Sequence, residues 1–357
     1  MIDNRIFRNA LGLGALALFA LVPVVLHTDL EFTTAFALAL VFGLGVLSVV
    51  VLTGYAGQVS LCQATFMGIS AFATGALVSH GVNYFIAAIG GTLVAFFLGV
   101  AVGIPALRLR GILLAVVTIG VAISFDYFFF QDVAFSWFNG GLGGWTVDEA
   151  HLFGLTLSSI DADHVRQIYW MILAVFFLIT LLVVNLHDSG SGRRFRAIRD
   201  SELAAATMGV DLTRYKLLAF GLSAAIAGVG GSFYPLLVGK ITNGPFNFVI
   251  SLQLAAIAVL MGIRFIPGAF LGGLFVSVIP RVLPHLQDFL TTVLHRPIEI
   301  KNVWFNLVLG ALLVLQMILY PDGVWGDLAG KVRHGILHAF PGAGKTAVGK
   351  PTKVVTT

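Results

Sequence analysis

Charged residues and cysteine are scarce in this 357-residue chain. Lys, Arg, Asp and Glu together make up 11% of it, whereas soluble globular proteins carry about 25%. So few charges cannot cover a water-exposed surface, which excludes an ordinary cytosolic enzyme, a disordered chain and a nucleic-acid-binding protein. The single cysteine, Cys62, excludes a disulfide framework and a CxxC metal site.

Apolar stretches dominate instead. Hydrophobic residues are 58% of the chain, and the mean hydropathy is +0.96. Stretches of about 20 apolar residues, enough to cross a bilayer, predict an all-α polytopic membrane protein with about ten transmembrane helices. One of the third, eighth and ninth spans is expected to be broken or re-entrant. The spans lie near Phe7–His27, Phe32–Thr53, Ser60–Ser79, Tyr84–Ile104, Gly111–Phe130, Ile168–Leu186, Tyr215–Val238, Phe248–Ile263, Pro267–Pro284 and Val303–Tyr320.

The loops between these spans alternate in charge. With ten spans, the Arg-rich segments 105–110 and 187–214 fall on the side of the basic N-terminus, and the acidic segment 131–166 falls opposite. The positive-inside rule then places both termini in the cytoplasm. Residues 1–330 are predicted to form the membrane domain, and 331–357 a basic, disordered cytoplasmic tail.

Glycine is the other abundant residue, with 41 copies. In lipid, small residues let helix backbones approach closely. The segment Gly221–Gly231 consists almost entirely of small residues. It therefore predicts a tightly packed bundle, which suits the core of a transporter better than a single-pass anchor.

Catalytic and metal-binding constellations are not visible in the sequence. His334 and His338 share helical spacing but lack a third ligand. The segment Pro341–Thr346 imitates a phosphate-binding loop, but Ala339 stands where its first glycine belongs. Neither a metal nor ATP is therefore expected to bind. Asp126 is the one candidate intramembrane carboxylate; a helix-end group that reaches the interface is favoured over a role in a solute pathway.

A short helix is predicted in the basic loop that follows the sixth span. Asp200 is a possible N-cap, the residues from Ser201 to Met208 are good helix formers, and Gly209 is a natural C-terminal stop. Glu202 lies in the first turn, where the helix dipole favours a carboxylate. Two interpretations stay open: the helix docks into a groove of a cytoplasmic partner, or it is incidental to a basic loop.

A polar interruption separates the second and third spans. It runs from Gly54 to Leu61, and Gln63 follows within the third span. Unwound backbone at membrane depth lines a cavity or is buried in protein, and transporters build solute sites from such breaks. The alternative is a tight cytoplasmic turn. The residues of this possible solute pathway or broken helix are Gly54, Tyr55, Gly57, Gln58, Ser60 and Gln63, together with Asp126.

Several stretches of the chain, between about Phe32 and Gly326, resemble the permease subunit of the branched-chain amino-acid ABC importer family. The most specific stretch surrounds the predicted loop helix. The stretches are Gly54–Leu61 with Phe66–Ile69, Leu107–Ile112 with Ala115–Thr118, Arg196–Asp200 with Glu202, Ala204, Ala205, Met208 and Gly209, Thr213–Leu217, and Tyr320–Gly326.

The resemblance implies one half of an importer in the cytoplasmic membrane of a prokaryote. Its partners would be membrane lipid, a homologous second permease, two cytoplasmic ABC ATPases and an extracytoplasmic solute-binding protein. The permease itself would be non-catalytic and hold no cofactor, because the ATPases consume the ATP. The implied coupling residues are Arg199, Asp200, Glu202, Ala204, Ala205, Met208 and Gly209.

The sequence also departs from the family pattern. Cys62 and Gln63 replace the family's Gly-His pair. Such departures leave the substrate open between branched-chain amino acids and the urea or short amides that related permeases carry. A stand-alone secondary transporter is the rival from another class, and it would need intramembrane charges for ion coupling.

Overall fold

The structure is a computed structural model that describes residues 30–109, 111–141, 144–147, 149–152, 155–158, 162–263, 266–279, 281, 310–311 and 314–315. The predicted first and tenth spans, apart from a few residues of the tenth, lie outside this part of the chain. So do the Tyr320–Gly326 motif, the imitated phosphate-binding loop and the tail at 331–357.

The fold is helical, as the hydropathy predicts. Within the described residues, two helices end in a π-helical turn, and four short strands form two antiparallel pairs, β1 with β4 and β2 with β3. The elements are α1 Leu30–Val49 with the π-turn Val50–Tyr55, α2 Gln63–Ser79, α3 Tyr84–Ala106, α4 Ile112–Ser124 with the π-turn Phe125–Phe130, α5 Ser136–Asn139, β1 Trp145–Thr146, β2 Glu149–Leu152, β3 Leu155–Ser158, α6 Ala162–Asp188, α7 Gly190–Asp200, α8 Glu202–Thr207, α9 Leu212–Val238, β4 Lys240–Ile241, α10 Phe248–Met261 and α11 Pro267–Ser277.

Each of the predicted spans two to nine corresponds to one described helix. In the part of the chain that the structure describes, five helical segments are long and apolar enough to cross a membrane, and α10 and α11 are shorter apolar helices. Helix α2 is 17 residues long and begins three residues later than its predicted span. The five long segments are Leu30–Tyr55, Tyr84–Ala106, Ile112–Phe130, His164–Asp188 and Leu212–Val238.

Helix α1 is the centre of the bundle. In its most apolar 18-residue window, 94% of the residues are buried, because α6, α9, α10 and α11 all pack against it. Helix α9 lies beside it and also contacts α2 and α3. By contrast, α3 and α4 expose large apolar side chains such as Phe97 and Ile112. Those faces suit lipid or a second membrane protein.

Glycine brings the central helices into direct backbone contact, as the small-residue run predicts. A Cβ at Gly231 of α9 would overlap the backbone of Met67 in α2, and one at Gly230 would press on the carbonyl oxygen of Val41 in α1. Only a hydrogen at these positions permits this spacing. The predicted tight packing is confirmed for this part of the bundle.

The charged loops segregate to opposite ends of α9. The Arg-rich helix α7 packs near the start of α9, and α8 is joined to that start by a short loop. The predicted outer segment contributes β1, which pairs with β4 just beyond the last residue of α9. Two ends of unlike charge are the arrangement expected of a polytopic membrane protein.

Replacing Gly231 with alanine is expected to destabilise the bundle by about 1–3 kcal/mol, because the new methyl group forces α9 away from α2. The matched control is Gly120→Ala on α4, where nothing lies within 4 Å of the added Cβ. Thermal unfolding of the detergent-solubilised protein measures both variants. An unfolding temperature of Gly231→Ala equal to that of the control would contradict the packing argument.

Candidate functional site

Helix α7 is the first element of the loop that follows α6. The hydroxyl of Ser189 accepts a hydrogen bond from the Gly192 amide at 3.2 Å and caps the helix. Phe195 and Ile198 are buried on its inner face, where Phe195 joins an apolar cluster with Leu52 of α1 and other residues. The arginines of α7 are therefore carried on a helix anchored to the membrane bundle.

Helix α8 follows after a single extended residue, Ser201. The Ser201 hydroxyl accepts a hydrogen bond from the Ala204 amide at 3.2 Å and so caps the helix. The expectation that Asp200 is the N-cap is wrong. Asp200 is the last residue of α7, and its carboxylate accepts two hydrogen bonds from Arg199, at 2.9 and 3.0 Å.

The end of α8 follows the predicted pattern. Gly209 has a φ of +80°, a conformation that glycine adopts without steric cost. Its amide donates to the Ala206 carbonyl, and the Val210 amide donates to the Ala205 carbonyl, both at 3.0 Å. These two bonds form a Schellman cap. The predicted stop at Gly209 is confirmed, and α8 is a compact six-residue helix.

The two faces of α8 differ sharply in exposure. Ala205 is fully buried, whereas Leu203 is 79% exposed and Met208, which follows the helix, is 71% exposed. Ala204 is exposed as well. Leu203 was absent from the predicted coupling set, although a large apolar residue among alanines in a charged loop is a readable signal. Two apolar side chains therefore extend from the outer surface of a basic loop.

Glu202 points inward, toward α9. Its Oε1 lies 2.8 Å from Nζ of Lys216, and the two side chains are 13% and 3% exposed. Lys216 was also absent from the predicted site. Its only signal in the sequence is a cation at the start of an apolar helix, where the dipole disfavours positive charge. The carboxylate of Glu202 is therefore paired with a cation of this same chain.

Arg199 connects the loop to the polar interruption. Its Nη1 donates a hydrogen bond to the Gly54 carbonyl at 2.9 Å, and Gly57 packs against its side chain. Beside them, the ring of Tyr55 contacts that of His187, with centroids 4.9 Å apart. The structure thus brings together two stretches that the sequence separates by about 140 residues, the predicted coupling segment and the predicted break.

The interruption itself is a folded, buried segment. Helix α1 widens into the π-turn Val50–Tyr55, and helix resumes at Gln63. The Gln58 amide donates to the Leu52 carbonyl at 3.1 Å, and the hydroxyl of Ser60 contacts the thiol of Cys62 at 3.2 Å. Gln58 and Ser60 are 5% and 1% exposed. The chain is therefore neither an open loop nor a continuous helix here.

Neighbouring helices satisfy the backbone groups that the break releases. The Leu61 amide donates to the hydroxyl of Thr118 in α4, and the Ala64 amide donates to that of Ser251 in α10, each at 3.1 Å. Irregular backbone inside a membrane bundle requires this kind of compensation. One end of the segment is therefore bonded to α7, and the other end to α4 and α10.

Gln63 joins three helices near the middle of the bundle. Its Oε1 lies 3.0 Å from the hydroxyl of Ser48 in α1 and 3.3 Å from that of Ser223 in α9. Each hydroxyl also lies near a backbone carbonyl acceptor, at 2.6 and 3.0 Å. Because a hydroxyl has one proton, the opposite amide orientation, with Nε2 donating to both hydroxyls, lets each hydroxyl donate to its carbonyl.

Asp126 is buried against the protein near the end of its helical segment, so its carboxylate is shielded from solvent. It lies in the π-turn after α4, is 3% exposed, and accepts a hydrogen bond from Nε2 of Gln131 at 2.8 Å. Leu114, near the start of α4, packs with Leu52 beside α7. Asp126 is about 18 Å further along the helix axis. It is therefore remote from the Arg199–Gly54 junction.

Comparison with known proteins places the chain in a family. Residues 32–317 match the family described as "Branched-chain amino acid transport system / permease component". The chain belongs to this family of transport permeases. It is 30% identical over 348 residues to the high-affinity branched-chain amino acid transport system permease protein LivM of Salmonella typhimurium, covering 90% of this chain and 76% of that one. The Escherichia coli LivM protein is 29% identical over the same shares.

A second type of relative covers a shorter part of the permease. The LivH permease of Salmonella typhimurium is 30% identical over 197 residues, which are 55% of this chain and 56% of LivH. No solved structure matches. Family membership, together with the apolar helices, makes this chain a multi-pass membrane permease, a transport subunit rather than an enzyme.

Substituting glutamine for Arg199 is expected to destabilise the permease by about 1–3 kcal/mol, because the Gly54 carbonyl loses a charged donor in a partly buried site. Arg193→Gln is the control, since Arg193 is exposed and its guanidinium bonds the nearby Asp188 carbonyl at 3.3 Å. Thermal unfolding in detergent compares them. Equal shifts in unfolding temperature would show that the Arg199–Gly54 junction contributes nothing specific.

Proposed function

We propose that this permease is one membrane half of an importer that carries branched-chain amino acids across the cytoplasmic membrane, driven by two cytoplasmic ABC ATPases. A homologous second permease completes the pathway, and an extracytoplasmic binding protein delivers the solute. The observation that carries the proposal is α8, a short, capped helix that holds Leu203 and Met208 outward from an Arg-rich loop. In this proposal α8 is the coupling helix.

Exposed apolar side chains on a charged surface favour burial in a partner. Fully burying one leucine or methionine side chain contributes about 1.5–3 kcal/mol. Leu203 and Met208 together therefore supply enough free energy to determine whether a groove on the ATPase binds. The other members of the predicted coupling set act around them. The small side chains of Ala204 and Ala205 keep the helix narrow, and Gly209 ends it. Arg199 and Asp200 fix the residues that precede it.

The curated relatives support the substrate class and the second permease. LivM and LivH proteins are both named as permeases of a high-affinity branched-chain amino acid transport system. This chain is similar to both types, as expected of homologous halves. In the proposed orientation α7, α8, both termini and the basic tail at 331–357 lie in the cytoplasm, on the side that the positive-inside rule assigns to arginine-rich loops.

The broken segment supplies the proposed route from α8 to the solute pathway. Gly54, Tyr55 and Gly57 lie against α7 and the end of α6, and Gln63 lies near the middle of α9. Motion of the loop would therefore act on backbone that reaches the core of the bundle. In alternating access such a segment repacks between two discrete states. Gln58, Ser60 and Gln63 are buried, so a solute reaches them only in another state.

A secondary transporter that works without ATPases is the second candidate. The buried carboxylate of Asp126 favours it, because ionisable groups inside a membrane bundle often couple transport to protons or cations. Uptake of urea or short amides by the same ABC architecture is the alternative for the substrate.

Reconstituted with its second permease, both ATPases and the binding protein, the permease is expected to take up labelled leucine only when ATP is supplied. Unlabelled isoleucine should compete, and urea should not. Competition by urea alone would reassign the substrate. Uptake that persists without ATPases, follows an ion gradient and disappears in Asp126→Asn would replace the ABC proposal with the secondary transporter.

Placing aspartate at Leu203 or Met208 is expected to weaken ATPase binding at least about tenfold, since the partner's groove loses one buried apolar side chain. Leu203→Met and Met208→Leu keep the apolar character and should bind normally. Co-purification of the ATPases with the tagged permease measures the effect. Normal binding by both aspartate variants would show that the outer face of α8 is not the docking surface.

A further inference from the structure

The Glu202–Lys216 ion pair is buried on both sides, whereas each other ion pair in the described part of this loop has at least one side chain more than half exposed. Lys216 is 3% exposed and Glu202 13%, with Nζ and Oε1 2.8 Å apart. In the pair between Arg214 and Asp211 the side chains are 86% and 46% exposed, and Asp200, which pairs with Arg199, is 68% exposed. Removing water from two charges is costly unless each keeps its partner. The position of each side chain is therefore fixed by the other.

Helix α8 depends on such a contact, because it is short and its helical backbone is interrupted at both ends. It spans six residues, too few to persist as an isolated helix. Ser201 precedes it in extended conformation, and Gly209 follows it at positive φ. Ala205 is the one buried residue of α8. A methyl group alone gives a weak and non-directional attachment.

Helix α9, which carries Lys216, contacts several helices of the bundle core. Lys216 lies in the second turn of α9, which packs against α1, α2 and α3. A force applied to α8 and passed to α9 therefore acts on the helices that surround the broken segment. The covalent link between α8 and α9 is the four-residue segment 208–211, so the two helices share no continuous helical backbone.

We propose that the Glu202–Lys216 pair is a positioning tie that fixes α8 to α9, so that displacement of α8 by the ATPases moves α9 with it. Neither residue touches the ATPase; docking belongs to Leu203 and Met208. The inference rests on the proposed function, because it assigns a role within the same coupling site. It differs from a docking role for Glu202, in which the carboxylate would pair with a cation of the ATPase.

The first test uses the permease alone. A spin label at Ala206→Cys, in a Cys62→Ser background, reports the motion of α8. Lys216→Met is expected to increase the mobility of the label, whereas Arg214→Met, which removes the same charge from an exposed site on α9, leaves it unchanged. Equal mobility in Lys216→Met and the parent would overturn the tie. This measurement does not depend on any ATPase.

The second test uses the reconstituted importer and measures ATP hydrolysed per leucine imported. In Glu202→Gln and Lys216→Met this ratio is expected to rise about tenfold or more, with ATPase binding within about twofold of the parent. The double exchange Glu202→Lys with Lys216→Glu should recover much of the coupling. Loss of ATPase binding in Glu202→Gln but not in Lys216→Met would assign Glu202 to docking and overturn the proposal.

Charge-conserving variants cover the case in which the single variants do not fold. Glu202→Asp shortens the reach of the carboxylate by one methylene, and Lys216→Arg retains the charge. Both should couple less tightly than the parent while binding the ATPases normally, and unchanged coupling in both would overturn the tie. A parent protein that binds no ATPase would refute the proposed function, and the label mobility would still decide whether α8 is tied to α9.

Discussion

Direct contact between glycines and backbone carbonyls sets the spacing of the central helices, and the other features follow from that spacing. With no side chain at Gly230 or Gly231, α9 lies close enough to α1 and α2 for Ser223 to reach Gln63. The same close packing places the start of α9 beside α8, where Lys216 pairs with Glu202. In a bilayer, where apolar burial adds little to helix association, such packing is a principal source of cohesion.

The sequence predicted the features that local chemistry determines. Apolar runs located the spans, because bilayer thickness imposes a minimum length. Gly209 marked the end of α8, because a C-terminal cap there requires positive φ. The polar run from Gly54 to Ser60 marked the break in the helices. In each case the signal lies within a few residues of the feature that it produces.

Features that depend on distant contacts were missed or misassigned. Asp200 and Ser201 are both good caps, and the choice between them depends on Arg199, which engages the aspartate. The contact between Arg199 and Gly54 joins segments that no local pattern relates. The hydrogen bond from Gln131 to the buried Asp126 forms across a π-turn that the sequence does not reveal. Burial and pairing are properties of the assembled bundle, not of a window of residues.

Because α8 is short, the exposed apolar side chains that it carries depend on the folding of the rest of the bundle. Six residues do not hold a helical conformation on their own, so Leu203 and Met208 take fixed positions only after α7 and α9 have packed. A protein that binds Leu203 and Met208 together therefore binds only a permease in which α7 and α9 are packed. In the proposed docking role, this small patch would let the ATPases distinguish a folded permease from a misfolded one.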